Sequence, residues 1–414
     1  MEVFDRKTKI IGVYVYFLLV FVTERIYKEP LFNYSLTKIQ EYQQYYSENT
    51  IRFYGYYTNL GKFEGIFPLM ILILNYFPLS VSYFLLLFYV ISFYIDNILK
   101  LLYQDPRPYF INTNITPFKT DSDYGNPSGH SLASTVFYLA LLNFCKNTSF
   151  FKNNRILYYL FSFFVIISLF LLFFSRFLLG VHAINQLLFG VLIGLGFYFI
   201  AFHIIDIDSC VKGTKFFLLN MSYSNNVLCF SIYFGLIILS VICYTCFDFD
   251  HTYLAFIQNT FPNNPQYKLF ENYDFALTLL MFVVIGSHSG MLCLLYFIKK
   301  YYKVDKFNYD NLNNFESSMS EIDKILRCCL IFLMIFISTL PFYLVNDMNS
   351  LWIIFILKIS FPSLLFGFVL FGVTPIVCLN LYFLPDSLLL ELSRNVDKPE
   401  HNILNKDSSN FNII

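Results

Sequence analysis

Long apolar runs alternate with short polar stretches along almost the whole chain. About 17–25 apolar residues suffice for a helix to cross a bilayer. Runs near that length fall at 9–25, 62–78, 80–102, 131–146, 155–175, 183–204, 226–246, 273–298, 326–345 and 352–383. The pattern predicts an all-α, polytopic membrane bundle of about ten spans. Segment 26–61, rich in Tyr, Asn and charge, is predicted as the one long connection in the first half. Segments 247–272 and 299–325 are predicted to play that part in the second half, the latter as a solvated cytosolic loop.

Composition strengthens the membrane reading. Of 414 residues, 57% are hydrophobic and only 14% charged, against about 25% charged in soluble domains. The formal net charge is zero, which gives no reason to expect a nucleic-acid partner. Cys243-x-x-Cys246 and Cys328-Cys329 lack the second Cys pair or nearby His of a zinc set, so the cysteines read as small buried hydrophobes. The first apolar run, Ile10 to Val22, has a basic flank but no small-residue cleavage site after it, and reads as a signal anchor.

Orientation follows the Lys/Arg bias of short loops. With ten alternating spans, Arg6, Lys7 and Lys9 share a face with Lys146, Lys152 and Arg155, with Lys212 and Lys215, and with Lys299, Lys300, Lys303 and Lys306. That face is expected to be cytosolic. Lys100, Arg107 and Arg176 fall on the opposite face, against the bias, and so need another reason to be there.

Three blocks supply one. Lys100 and Arg107, followed by Pro108, close the third span; Asn126-Pro127-Ser128-Gly129-His130 opens the fourth; Ser175-Arg176 and His182 join the fifth to the sixth. Taken singly each is bland, because cations at helix ends reach for lipid headgroups and small residues commonly start helices. Alternation, however, brings all three to one face. Two Arg forks, a Lys charge, two imidazoles and the free amides of a helix start with Ser128 as its cap are the inventory for a phosphate. The two His supply a nucleophile and a proton donor. No Asp/Glu cluster with metal-ligand spacing is visible on this face, and Asp105, Asp121 and Asp123 read as loop and cap residues. Asp96, one turn before Lys100, is left open.

In this order the blocks resemble the three signature motifs of the type 2 phosphatidic acid phosphatase superfamily, over residues 60–205. The resemblance implies a metal-independent phosphatase, with no cofactor, acting through a phosphohistidine. His182 would be the nucleophile and His130 the proton donor to the leaving group. Lys100, Arg107, Arg176, Ser128 and the Gly129 amide would bind the phosphoryl oxygens. Many members carry an Asp four residues after the nucleophile. Gln186 stands there, preceded by Asn185, and its carbonyl would accept the Nδ1 proton. Gln at that place resembles glucose 6-phosphatases and dolichyl diphosphatases more than lipid phosphate phosphatases.

The expected organisation is an anchor helix and outer loop over 1–61, a six-helix catalytic core over 62–205, about four further spans over 206–384, and a cytosolic tail over 385–414. No chemistry is legible in 206–414, although Ser287-His288-Ser289-Gly290 superficially echoes the fourth-span motif. The expected substrate is a lipid phosphate or isoprenoid diphosphate, hydrolysed at the non-cytosolic face of a membrane, endoplasmic reticulum first and plasma membrane second. A sugar phosphatase or a lipid phosphotransferase is the alternative among enzymes. A transporter or inactive binding protein is the alternative outside them.

Overall fold

Among the described residues, helices occupy each apolar run that the sequence marks. The computed structural model describes residues 2–61, 63–77, 79–118, 123–207, 223–247, 270–302, 321–344 and 350–380. Among them every regular element is helical. The first half comprises α1 (Glu2–Tyr45), α2 (Glu48–Tyr57), α3 (Phe63–Tyr76), α4 (Leu79–Tyr103), the short α5 (Pro108–Ile111), α6 (Gly129–Lys146), α7 (Ser149–Asn153), α8 (Arg155–Leu178) and α9 (Ile184–Phe199). A π-helical turn carries α9 on to Ile204. The second half comprises α10 (Tyr223–Cys246), α11 (Phe270–Thr278), α12 (Met281–Tyr302), α13 (Glu321–Leu344) and α14 (351–380), the last interrupted by two π-helical stretches.

Seven of the described helices are long and apolar enough to span a bilayer, consistent with an integral multi-pass membrane protein. The other three predicted spans fall short. α3 has only 14 residues, α6 opens with the polar run Gly129-His-Ser-Leu-Ala-Ser-Thr, and the apolar part of α13 is confined to Ile325–Leu340. Packing explains why α6 need not be apolar all round. It is wedged between α4 and α9, with Leu132, Phe137 and Ala140 fully buried, so little of it faces lipid.

The predicted loop 26–61 is a correction. α1 runs unbroken for 44 residues, about 66 Å at 1.5 Å per residue, twice the roughly 30 Å of a hydrocarbon core. Its second half is polar yet helical because one stripe of it packs on protein. Ser35 and Ile39, four residues apart on one face, are fully buried. Gln43, another turn on, donates to the carbonyls of Thr116 and Leu178, both at 3.0 Å.

In lipid, helices associate through close packing and polar contacts rather than by escaping water. Gly190 of α9 lies directly on the Ser128 carbonyl, where a Cβ would come within 2.7 Å of the oxygen. The main apolar core lies between α3, α4, α6, α9, α12, α13 and α14. A smaller cluster of Ile39, Tyr109, Phe110, Ile115, Tyr124, Phe177, Leu179, Val181 and Leu187 packs the loops at one end of the bundle. Those loops carry the chemistry. Segments 385–414 and most of 247–272 and 299–325 lie outside the described residues.

Candidate active site

Four chain segments converge at that end. α4 delivers Lys100 in its last turn and then stops at Tyr103, with Gln104 in the left-handed region at φ 51°. The residues that follow include Pro106 and Pro108, so no helix continues to Arg107. Arg107 instead occupies the extended position that caps α5. α6 starts at Gly129, and α8 ends with Arg176 in its last turn. Gly180, at φ +71°, then turns the chain in a conformation that L side chains rarely adopt, setting His182 two residues on.

Lys100 and Arg107, the two cations of the first block, are joined through an aspartate. Lys100 Nζ pairs with Asp96 at 2.9 Å and with Asp123 at 2.5 Å. The other oxygen of Asp123 pairs with Arg107 Nη2, while Arg107 Nε donates to the Asp123 carbonyl at 3.0 Å. Arg107 Nη1 donates to the Val181 carbonyl at 2.8 Å and lies 3.3 Å from His182 Nε2. All of these side chains are buried. A buried charge is tolerable only when paired and hydrogen-bonded, so the carboxylates are what allow Lys100 and Arg107 to sit here. Asp123 is therefore corrected from loop residue to partner of the cations, and Asp96, left open between pairing with Lys100 and lying in a polar groove, pairs with it. Asp105 is also more than a cap. It pairs with Lys28 of α1 at 2.6 Å and accepts from Asn126 at 2.8 Å, and Asn126 donates as well to Glu24 of α1 at 3.1 Å. Asp121 lies outside the described residues.

The carboxylates on this face serve the cations. Asp96 and Asp123 surround an ammonium group, and among the described residues no three His, Cys, Asp or Glu are grouped as metal ligands.

The His182 ring has a defined tautomer. Nδ1 lies 3.0 Å from the Gly125 carbonyl and 3.4 Å from Gln186 Oε1. Gln186 gives its amide hydrogens to the Pro106 carbonyl at 2.8 Å, and its Oε1 also accepts the Ala183 N–H at 3.1 Å. Both neighbours of Nδ1 are acceptors, so Nδ1 carries the proton. Nε2 then presents its lone pair, and the group facing it is Arg107, which only donates. Burial first, then the positive charges of Arg107, Arg176 and Lys100, and that of His130, hold the imidazole well below its ordinary pKa. The sequence expectation that Gln186 accepts the Nδ1 proton is met only in second place, because the Gly125 carbonyl is the nearer acceptor.

Ser128 is the residue before α6, but its side chain makes no capping bond to the helix, against expectation. Its Oγ accepts from Ser131 Oγ at 3.2 Å, and its N–H donates to the Gln186 carbonyl at 3.0 Å. The helix start thus keeps amides that no capping hydroxyl has claimed. Gly129 Cα lies against the Asp96 carboxylate, which leaves no room for a side chain. Arg176 is buried, with Nη1 3.4 Å from Thr58 Oγ1. His130 sits near Gly61 and acts on His182 through its charge. Asn185 is buried beside Gln186, and its Oδ1 finds no hydrogen-bond partner among the described residues.

The expected Lys, Arg, Ser, Gly and His residues are all at this end of the bundle. The comparison with protein families agrees: residues 82–208 match the model of the PAP2 superfamily. The match covers less than a third of the chain and supports a phosphatase-type hydrolase of the phosphatidic acid phosphatase kind, with phosphorylated small molecules or lipids as its suggested substrates. No match was found among the curated proteins, and none among the solved structures.

Several residues around the PAP2 site carry no linear signal of their part in it: Glu24, Lys28, Asp123 and Gly125. The one available hint was polarity itself, a charged stretch adjoining an apolar run where a soluble loop was assumed. His288, singled out in the sequence, lies in the first half of α12 and bonds Asn226 at 2.9 Å and Tyr233 at 3.3 Å, a polar cluster within the bundle.

Proposed function

We propose that the protein hydrolyses a phosphate monoester or diphosphate through a phosphohistidine on His182. The observation that carries this reading is the ring's tautomer: a neutral, Nδ1-protonated imidazole whose Nε2 lone pair lies among buried cations. His182 Nε2 attacks phosphorus, and the bond from phosphorus to the leaving oxygen breaks. His130 gives that oxygen its proton. Water then attacks the phosphohistidine, His130 takes the water's proton, and the P–N bond breaks to release phosphate. Lys100, Arg107 and Arg176 hold the three equatorial oxygens with the Ser128 hydroxyl and the Gly129 amide, a preorganised field for charge that spreads in the transition state. The Arg107 Nη1 hydrogen that now faces Nε2 is the one a phosphoryl oxygen takes up.

The substrate we favour is a lipid phosphate or isoprenoid diphosphate, on the non-cytosolic side. Support for the side is the charge pattern. Lys146, at the far end of α6, and Arg155, at the far end of α8, lie at the opposite ends of their helices from the site. The test is phosphate release by the purified full chain in EDTA. The panel is phosphatidate, sphingosine phosphate, dolichyl diphosphate and glucose 6-phosphate, with His182→Ala as control. Release from at least one substrate that vanishes in the variant supports the reading. Release unaffected by the variant sinks the mechanism, and transfer to an alcohol in place of release assigns phosphotransfer.

A further inference from the structure

We propose that Asp274, outside the PAP2 superfamily match, is a positioning residue of the site, holding the Asp123–Gly125 segment and through it the His182 ring. The inference rests on the phosphatase reading above and gives the second half of the chain a part in it.

Asp274 lies on α11, which packs along α4. It is completely buried. Its Oδ2 accepts the Tyr124 N–H at 3.3 Å, and its Oδ1 has no hydrogen-bond partner among the described residues. Leaving a carboxylate in such a place is costly; the Lys100 charge across the helix interface offsets part of that cost, while the charges of Asp123 and Asp96 add to it. The carboxylate thus touches the one amide that stands between two functional contacts. Directly before Tyr124, Asp123 holds Lys100 and Arg107. Directly after it, Gly125 donates to the Asp105 carbonyl at 2.7 Å and presents its own carbonyl to His182 Nδ1 at 3.0 Å.

Without the anchor at Tyr124, the Gly125 carbonyl is held by the Asp105 carbonyl on one side and by the contacts of Asp123 with Lys100 and Arg107 on the other, and the imidazole loses part of the rigidity of its acceptor. Lys100 and Arg176 stay on their own helices, and Arg107 keeps its bond to the Val181 carbonyl. The expected defect is therefore in turnover rather than in binding.

The test uses the full chain, with wild type, Asp274→Asn, Asp274→Ala and Asp274→Leu compared for kcat and KM on whichever substrate the panel selects. Asn keeps an acceptor for Tyr124, so it should hold kcat within about threefold. Ala and Leu remove the acceptor, one leaving space and the other filling it, so that either can be read if the other fails to fold. They should lower kcat on the order of a hundredfold, the cost of misplacing a reacting group by about an ångström, with KM nearly unchanged. Wild-type kcat in a folded Ala or Leu variant overturns the proposal. So does an Asn variant as poor as those two. Hydrogen exchange on the same proteins keeps the two readings separate. If wild type releases no phosphate, the phosphatase reading falls, while faster exchange of the peptide containing Tyr124 and Gly125 in Asp274→Leu than in Asp274→Asn still supports the anchor. Equal exchange overturns it.

Discussion

Gly125 and His182 stand 57 residues apart in the chain, and the carbonyl oxygen of one lies 3.0 Å from Nδ1 of the other. That contact fixes which nitrogen of the ring is free. A glycine holds the acceptor because nothing larger fits: a Cβ at residue 125 would come within 2.7 Å of the Pro106 carbonyl and collide with Gln186 Nε2. The predicted effect of Gly125→Ala is a fall in kcat on the order of a hundredfold, with a smaller effect on KM. Steady-state kinetics on protein that stays monodisperse will check it.

Protonation of His182 would abolish the nucleophile, and its surroundings oppose protonation. Its folded pKa lies below the ordinary imidazole value of about 6.5. Between those two values the unfolded chain binds more protons than the folded one, so His182 makes stability rise with pH there. Its contribution is fully present above the unfolded value and is progressively lost as pH falls through it towards the folded one. The acidic limb of kcat/KM that reports His182 should therefore lie well below pH 6.5. Arg176→Gln removes one of the opposing charges and should move that limb to higher pH while weakening phosphate binding. A limb unmoved by this substitution would separate Arg176 from the field at His182.

His130 is assigned the proton of the leaving oxygen, so its importance should depend on what leaves. For a poor leaving group such as an alkyl alcohol, His130→Ala should lower kcat by about 10²–10⁴-fold. For p-nitrophenyl phosphate, whose leaving group departs without a proton, the loss should be much smaller. The comparison of the two substrates in one variant is the measurement.

Asp123 ties Lys100 to Arg107 in a buried site. Removing one member of a buried ionic network leaves its partners uncompensated, at a cost of roughly 3–5 kcal/mol. Asp123→Ala should therefore unfold at clearly lower temperature than wild type in the same detergent. Orthovanadate should restore part of the loss, because the oxyanion supplies charge that the carboxylate no longer does. Thermal unfolding with and without vanadate reads both effects.

The helical class and the PAP2 blocks were legible because both are written locally. Apolar runs of spanning length declare helices, and Lys100, Arg107, His130, Arg176 and His182 sit in short motifs whose spacing is read along the chain. Asp123 was missed because its meaning comes from Lys100, 23 residues earlier, and from Arg107, neither of which any periodicity links to it. The second half of α1 was missed for a different reason. Polarity next to an apolar run looks like a loop when the helix is imagined to end with the membrane, whereas this one continues beyond it against other protein. Residues such as Ser35, whose hydroxyl accepts the Ile184 N–H at 3.0 Å as α9 begins, are polar because of what they touch. Asp274 was invisible in the same way: an acidic residue at the start of a span acquires a role only once α11 lies on α4.

The central claim is covalent, and a covalent intermediate can be seen. Wild-type protein mixed with substrate, quenched in alkali within the first turnover and digested, should carry one phosphoryl group on the peptide containing His182, and none in His182→Ala. A phosphoryl group on any other residue, or phosphate released in a burst with no phosphorylated peptide at any time point, would contradict the account.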